Sequence, residues 1–113
     1  MKDAIVERIK VFADLRWPDR DLPGRLRKLG EEFGELAEAV CYVGLTSKVP
    51  EDAGLCLANF ALEIADCAII LQDMLIVAGC EGSLICYMDI KMDINEQREW
   101  PDQEETVTPK VNA

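Results

Sequence analysis

Residues 59–79 read NFALEIADCAIILQDMLIVAG, and within that apolar run Asn59, Glu63, Asp66 and Asp73 recur at intervals of four, three and seven. At about 100° per residue these positions form one stripe on a helix, while Phe60, Ile64, Ile69, Ile70 and Leu75 cover its other faces. An ionised carboxylate taken from water without a partner costs on the order of several kcal/mol. Glu63 and Asp66 therefore call for a cation or a positive side chain, and the stripe must face a bundle interior or a cleft. The wider segment 53–79 has the length of a membrane span, but a charge near the bilayer centre costs roughly 2.5–3.5 kcal/mol. With Glu63, Asp66 and Asp73 inside it, a buried helix of a soluble protein is expected and a membrane partner is not.

Working outward, punctuation divides the rest of the chain into three more helices. Asp21 can cap, and Pro23 can open, a helix over 22–43 that Gly44 closes. Its apolar positions Leu26, Leu29, Phe33, Leu36 and Val40 fall on one stripe. Ahead of it, Ile5, Ile9 and Phe12 give a helix over 3–16 that stops before Trp17-Pro18. Pro50, Glu51 and Asp52 suit the first turn of the apolar helix, which then spans 50–78. After Gly79 and Gly82, Ser83 can cap a last helix over 83–100, ended by Pro101. No stretch supports a strand. The expectation is an all-α, four-helix bundle-like domain over 1–101. The polar tail 102–113 is either disordered or an arm that orders on a partner subunit.

The 113 residues fit one domain. Five cysteines form an odd set without CxxC spacing, most among apolar neighbours, which reads as reduced, buried thiols and a cytoplasmic setting. The opening MKDAIVERIK carries charges where a signal peptide needs an apolar core. With 22 acidic and 12 basic residues and no histidine, the formal charge is −10, which opposes a nucleic-acid backbone. A polyphosphorylated ligand would need some of that acid neutralised by cations. Carboxylate-only sites suit Mg²⁺, Mn²⁺ or Ca²⁺ better than zinc.

On the second helix, Glu32 borders the apolar stripe and Glu35 lies one step further round, whereas Glu31 and Glu38 point to solvent. Taken alone, EEFGELAE also fits a solvated acidic face. If the second and third helices pack antiparallel, ExxE on one and ExxD on the other converge on shared ions, as in other helical bundles. The fourth helix supplies the opposite sign: Lys91, Asn95 and Arg98 share a face suited to phosphate oxygens, although alone that face also fits plain surface.

The segments KLGEEFGELAEAV, EIADCAIIL and KMDINEQREWP, in this order and spacing, resemble the all-α NTP pyrophosphatase superfamily of MazG-like proteins and dCTP pyrophosphatases. The resemblance runs from about Trp17 to Pro101. It implies a MazG-type fold and Mg²⁺ ligands at Glu32, Glu35, Glu63 and Asp66, with Mn²⁺ as a substitute. It also implies substrate contacts from Lys91, Asn95 and Arg98, and aromatic residues around the base at Trp17 and Tyr42. Trp17 equally fits packing of the helix junction, and Tyr42 a subunit interface. Relatives of the dCTP type carry a histidine on the first helix and often tryptophan in place of Tyr42, so the base is open.

The implied reaction is attack of water on the α-phosphorus of an NTP or dNTP, with dCTP or other dNTPs favoured, giving a nucleoside monophosphate and pyrophosphate. The four carboxylates, or Glu31 behind them, are the candidates for the general base. Two rivals stand beside this reading: a non-catalytic acidic helical interaction module, and a di-iron bundle, which is weakened by the lack of histidine. The all-round apolar third helix predicts a homo-oligomer, tetramer or dimer, formed through helix packing. In the resembling family, neighbouring subunits complete the nucleotide pocket.

Overall fold

The computed structural model describes residues 4–46 and 53–99, and all regular structure among them is helical. Four helices follow in chain order: α1 (Ala4–Arg16), α2 (Leu22–Thr46), α3 (Ala53–Ala78) and α4 (Leu84–Gln97). The expected start at Pro50, the stop at Pro101 and the tail 102–113 lie outside the described residues.

Local chemistry explains most of the boundaries. Asp21 Oδ1 accepts the Gly24 N–H at 2.9 Å and so caps α2. A Cβ on Gly24 would stand 2.9 Å from that same oxygen, so glycine leaves the cap its room. Gly44 does not end α2: a lone glycine costs only about 1 kcal/mol against alanine, and the helix runs on to Thr46. At the far end of α3, Gly79 turns at φ 82, and the Cys80 N–H donates to the Leu75 carbonyl at 2.9 Å. Ser83 then caps α4 by accepting the Cys86 N–H at 3.2 Å. Buried Gln72 fastens this turn to α3. Its Oε1 accepts the Leu84 N–H at 2.6 Å, and its Nε2 donates to the Gly82 carbonyl at 3.4 Å.

The main packing is α2 on α3. Arg25 approaches Asp73, Leu29 packs with Cys67 and Ile70, and Glu32 meets Glu63 and Asp66. Numbers rise along one helix as they fall along the other, so the pair is antiparallel, as expected. Leu36 and Met74 extend this small core, and α1 adds buried Ile9 and Ala13 from the side. The line of α2 that meets α3 is Leu29, Glu32, Leu36 and Ala39, rolled one step from the apolar stripe. Leu26, Phe33 and Val40 of that stripe are half-exposed, and α4 buries none of its residues.

The cysteine expectation needs correcting. All five are free thiols, but only Cys67 is fully buried, and Cys41, Cys80 and Cys86 are exposed. Val40 beside Cys41 and Ile85 beside Cys86 are themselves exposed. By length and composition alone, 54–78 of α3 could cross a membrane. In the bundle its Asp73, 1% exposed, is held by arginines from outside the helix.

Candidate metal and nucleotide site

Three of the four proposed carboxylate ligands come together. Glu32, Glu63 and Asp66 each offer an oxygen, and these oxygens lie within 4.8 Å of one another. Glu32 is 7% exposed, because the roll of α2 turns it onto α3. Glu63 Oε1 is buried without a hydrogen-bond partner among the described residues. Burial raises the Glu63 carboxyl above its ordinary value of 4.5, and Glu35, Asp66, Glu32 and Glu38 push it further the same way. Glu35 stands outside the 4.8 Å group, yet among these neighbours its charge acts most strongly on Glu63.

This geometry fits a hard divalent cation. The donors are all carboxylate oxygens, crowded enough to repel one another, with one buried oxygen left unsatisfied. Burial raises the thiol of the neighbouring Cys67, and Glu32, Asp66 and Glu63 raise it further.

The cluster opens on a cavity of about 230 Å³, lined at one end by Glu32, Glu35, Asp66 and Lys28. Ile9, Phe12, Ala13, Trp17, Ile69 and Ile70 make its other walls apolar, and Arg25 and Asp73 are set among them. Trp17 therefore shares a cavity with the carboxylates. Its ring meets Phe12 edge-on, with centroids 5.9 Å apart, and the Arg25 guanidinium lies 5.1 Å from its centroid.

An ion-pair network fixes this aromatic wall. Arg20 grips Asp73 through two parallel bonds, Nε to Oδ2 at 2.7 Å and Nη2 to Oδ1 at 2.8 Å. Its Nη1 donates to Asp14 Oδ1 at 2.9 Å and to the Trp17 carbonyl at 3.3 Å. The hydrogen bond to Asp73 is the main cause that raises the Arg20 guanidinium above its ordinary value. Asp14 is held below the usual carboxylate range, first by Lys10 at 2.8 Å and then by Arg20. Lys28 stands 3.4 Å from Glu32 Oε2, and that carboxylate raises its ammonium.

The remaining proposed substrate residues lie elsewhere on the described chain. Tyr42 is exposed ten residues beyond Glu32, about 15 Å along α2. Lys91, Asn95 and Arg98 sit on α4 or its C-cap, and none of them lines the carboxylate cavity. Asn95 Nδ2 lies 4.0 Å from Met92 Sδ, and the Asn95 carbonyl accepts the Arg98 N–H at 3.3 Å. The cations that do line the cavity, Arg25 and Lys28, were not singled out from sequence, nor was Arg20. Lys28 carries a local signal, four residues ahead of Glu32 on one helix face. Arg20 and Asp73, 53 positions apart, carry none.

A family model described as dATP/dGTP pyrophosphohydrolase matches residues 32–111, most of the chain and all three of the proposed ligands brought together. No curated protein and no solved structure matches. The chain belongs to the dATP/dGTP pyrophosphohydrolase family, within the MazG-like NTP pyrophosphatase superfamily, whose members are hydrolases acting on acid anhydrides.

Proposed function

From that membership we propose that the chain hydrolyses dATP and dGTP at the α–β phosphoanhydride, releasing the deoxynucleoside monophosphate and pyrophosphate. The observation that carries this reading is the meeting of Glu32, Glu63 and Asp66, of which Glu32 and Asp66 line a cavity shared with Trp17. Glu32, Glu63 and Asp66 would hold Mg²⁺, or Mn²⁺ in its place, with Glu35 as the fourth carboxylate. A divalent ion there supplies charge neutralisation for the polyphosphate and makes water more acidic. Trp17, backed by Phe12, offers the base a stacking surface, a contact worth on the order of 1–3 kcal/mol. Glu35 lines the same cavity from the next turn of α2, and in this reading it takes the proton of the attacking water. The test is incubation with each dNTP and NTP plus Mg²⁺, followed by a pyrophosphate assay. Release from dATP and dGTP is expected, and no release from any nucleotide would leave the non-catalytic helical module as the better reading.

Lys91, Asn95, Arg98 and Tyr42 fit this function if a neighbouring copy supplies them. The half-exposed Leu26, Phe33 and Val40 of α2, with Leu57 and Ile64 of α3, form the kind of apolar surface that a second chain covers. Sedimentation equilibrium at micromolar concentration is expected to give a dimer or tetramer of the 12.6 kDa chain. An active monomer would remove the neighbouring copy from the site.

Binding of an ion to the folded state alone must also raise its stability. At a concentration one hundred times Kd the gain is about 2.7 kcal/mol. Millimolar Mg²⁺ without nucleotide is therefore expected to raise Tm by several degrees. The exposed Glu38, at the edge of the cluster, is expected to change neither this shift nor turnover when replaced by glutamine. Equal damage from Glu38→Gln and Glu63→Gln would mean that the wrong face of α2 has been assigned.

A further inference from the structure

The apolar end of the cavity holds a polar group, Arg25, whose guanidinium lies 5.1 Å from the Trp17 centroid. Arg25 lines the cavity together with Trp17, Ile69 and Ile70, its side chain 12% exposed, and its Nε is buried without a hydrogen-bond partner among the described residues. Asp73 does not satisfy it. Both oxygens of that carboxylate are taken by Arg20, and Arg25 Nη1 comes only to 3.6 Å from Oδ2. A guanidinium has donors and no acceptor, so a ligand seated against it must present an acceptor. A buried donor left unpaired is costly, so binding that pairs it gains affinity and specificity together.

Resting on the proposed reaction, we infer that Arg25 is the residue that selects purines, donating to N7 of a base stacked at Trp17. N7 is the acceptor that adenine and guanine share and that cytosine and thymine lack. Guanine adds O6 beside N7, a pair suited to the arginine fork, whereas adenine sets an amino group there. The site therefore takes both purines and favours guanine. Lys28, one turn further along α2 beside Glu32, belongs to the phosphate end.

The test replaces one ring atom of the substrate and then the residue. Wild-type protein is expected to lose at least about tenfold in kcat/KM when dGTP is exchanged for 7-deaza-dGTP, which has carbon at that position. Arg25→Met is expected to hydrolyse dGTP at about the wild-type rate for the deaza analogue and to discriminate hardly at all between the two. It leaves Arg20 on Asp73, so the fold is retained. Calorimetric binding of dGMP and 7-deaza-dGMP gives the same comparison without turnover. Equal handling of dGTP and its analogue by wild-type protein, or undiminished discrimination by Arg25→Met, overturns the assignment and leaves the hydrolase reading intact. Absence of all hydrolysis defeats that reading instead, while the binding comparison still decides the role of Arg25.

Discussion

Glu63→Gln is expected to abolish Mg²⁺-dependent hydrolysis, by at least about a hundredfold in kcat/KM, and at the same time to raise the melting temperature of the metal-free protein. The two effects have one origin. Glu63 is pushed above its ordinary 4.5 by burial and by four neighbouring carboxylates, so its charged form opposes folding while making the site attractive to a cation. The sign follows from linkage. A carboxyl whose folded pKa is raised binds its proton more tightly in the folded state, so stability is lost as pH climbs from 4.5 through the folded value. Metal-free wild type should therefore gain stability relative to Glu63→Gln as pH is lowered through that window, and fall below it at neutral pH. Tm measured against pH in chelator, for both proteins, checks this. A variant less stable than wild type at neutral pH in chelator would show that the cluster is not under repulsion. Asp14, held low by Lys10 and Arg20, contributes with the opposite sign and cancels in the comparison.

Asp73→Ala is expected to be the most destabilising single substitution among the charged residues. Asp73 is 1% exposed, Arg20 binds it through two bonds, and Arg25 lies beside it. Removing one member of a buried pair leaves an uncompensated charge and costs about 3–5 kcal/mol. For a chain of this size each kcal/mol shifts Tm by roughly 4–8 °C, so a fall of more than about 10 °C is expected. Replacing Arg20 and Asp73 together with apolar residues should recover part of that loss, since a well-packed apolar pair removes the orphaned charge. Activity should not return with the stability, because Arg20 also anchors the Trp17 carbonyl and with it the stacking surface. If the double variant regained full turnover, Arg20 would have no positioning role.

The chain's own pattern determined the helices and which of its acids share a helix face. Asp21 and Ser83 cap α2 and α4 as their sequence positions suggest, because capping needs only a side-chain oxygen two or three residues from an orphan N–H. Glu32, Glu63 and Asp66 were legible for a similar reason: helical periodicity fixes which residues share a face, and acids inside an apolar helix have few places to go. Tertiary structure decided what depends on how far each helix rolls against its neighbour. That roll left Phe33 and Val40 half-exposed, set Glu35 just outside the tight group, and brought Trp17 to the carboxylates while Lys91 and Asn95 stayed away. The grip of Arg20 on Asp73 across 53 positions belongs to the same class. A long-range ion pair obeys no period, so only the packed chain reveals which arginine meets which acid.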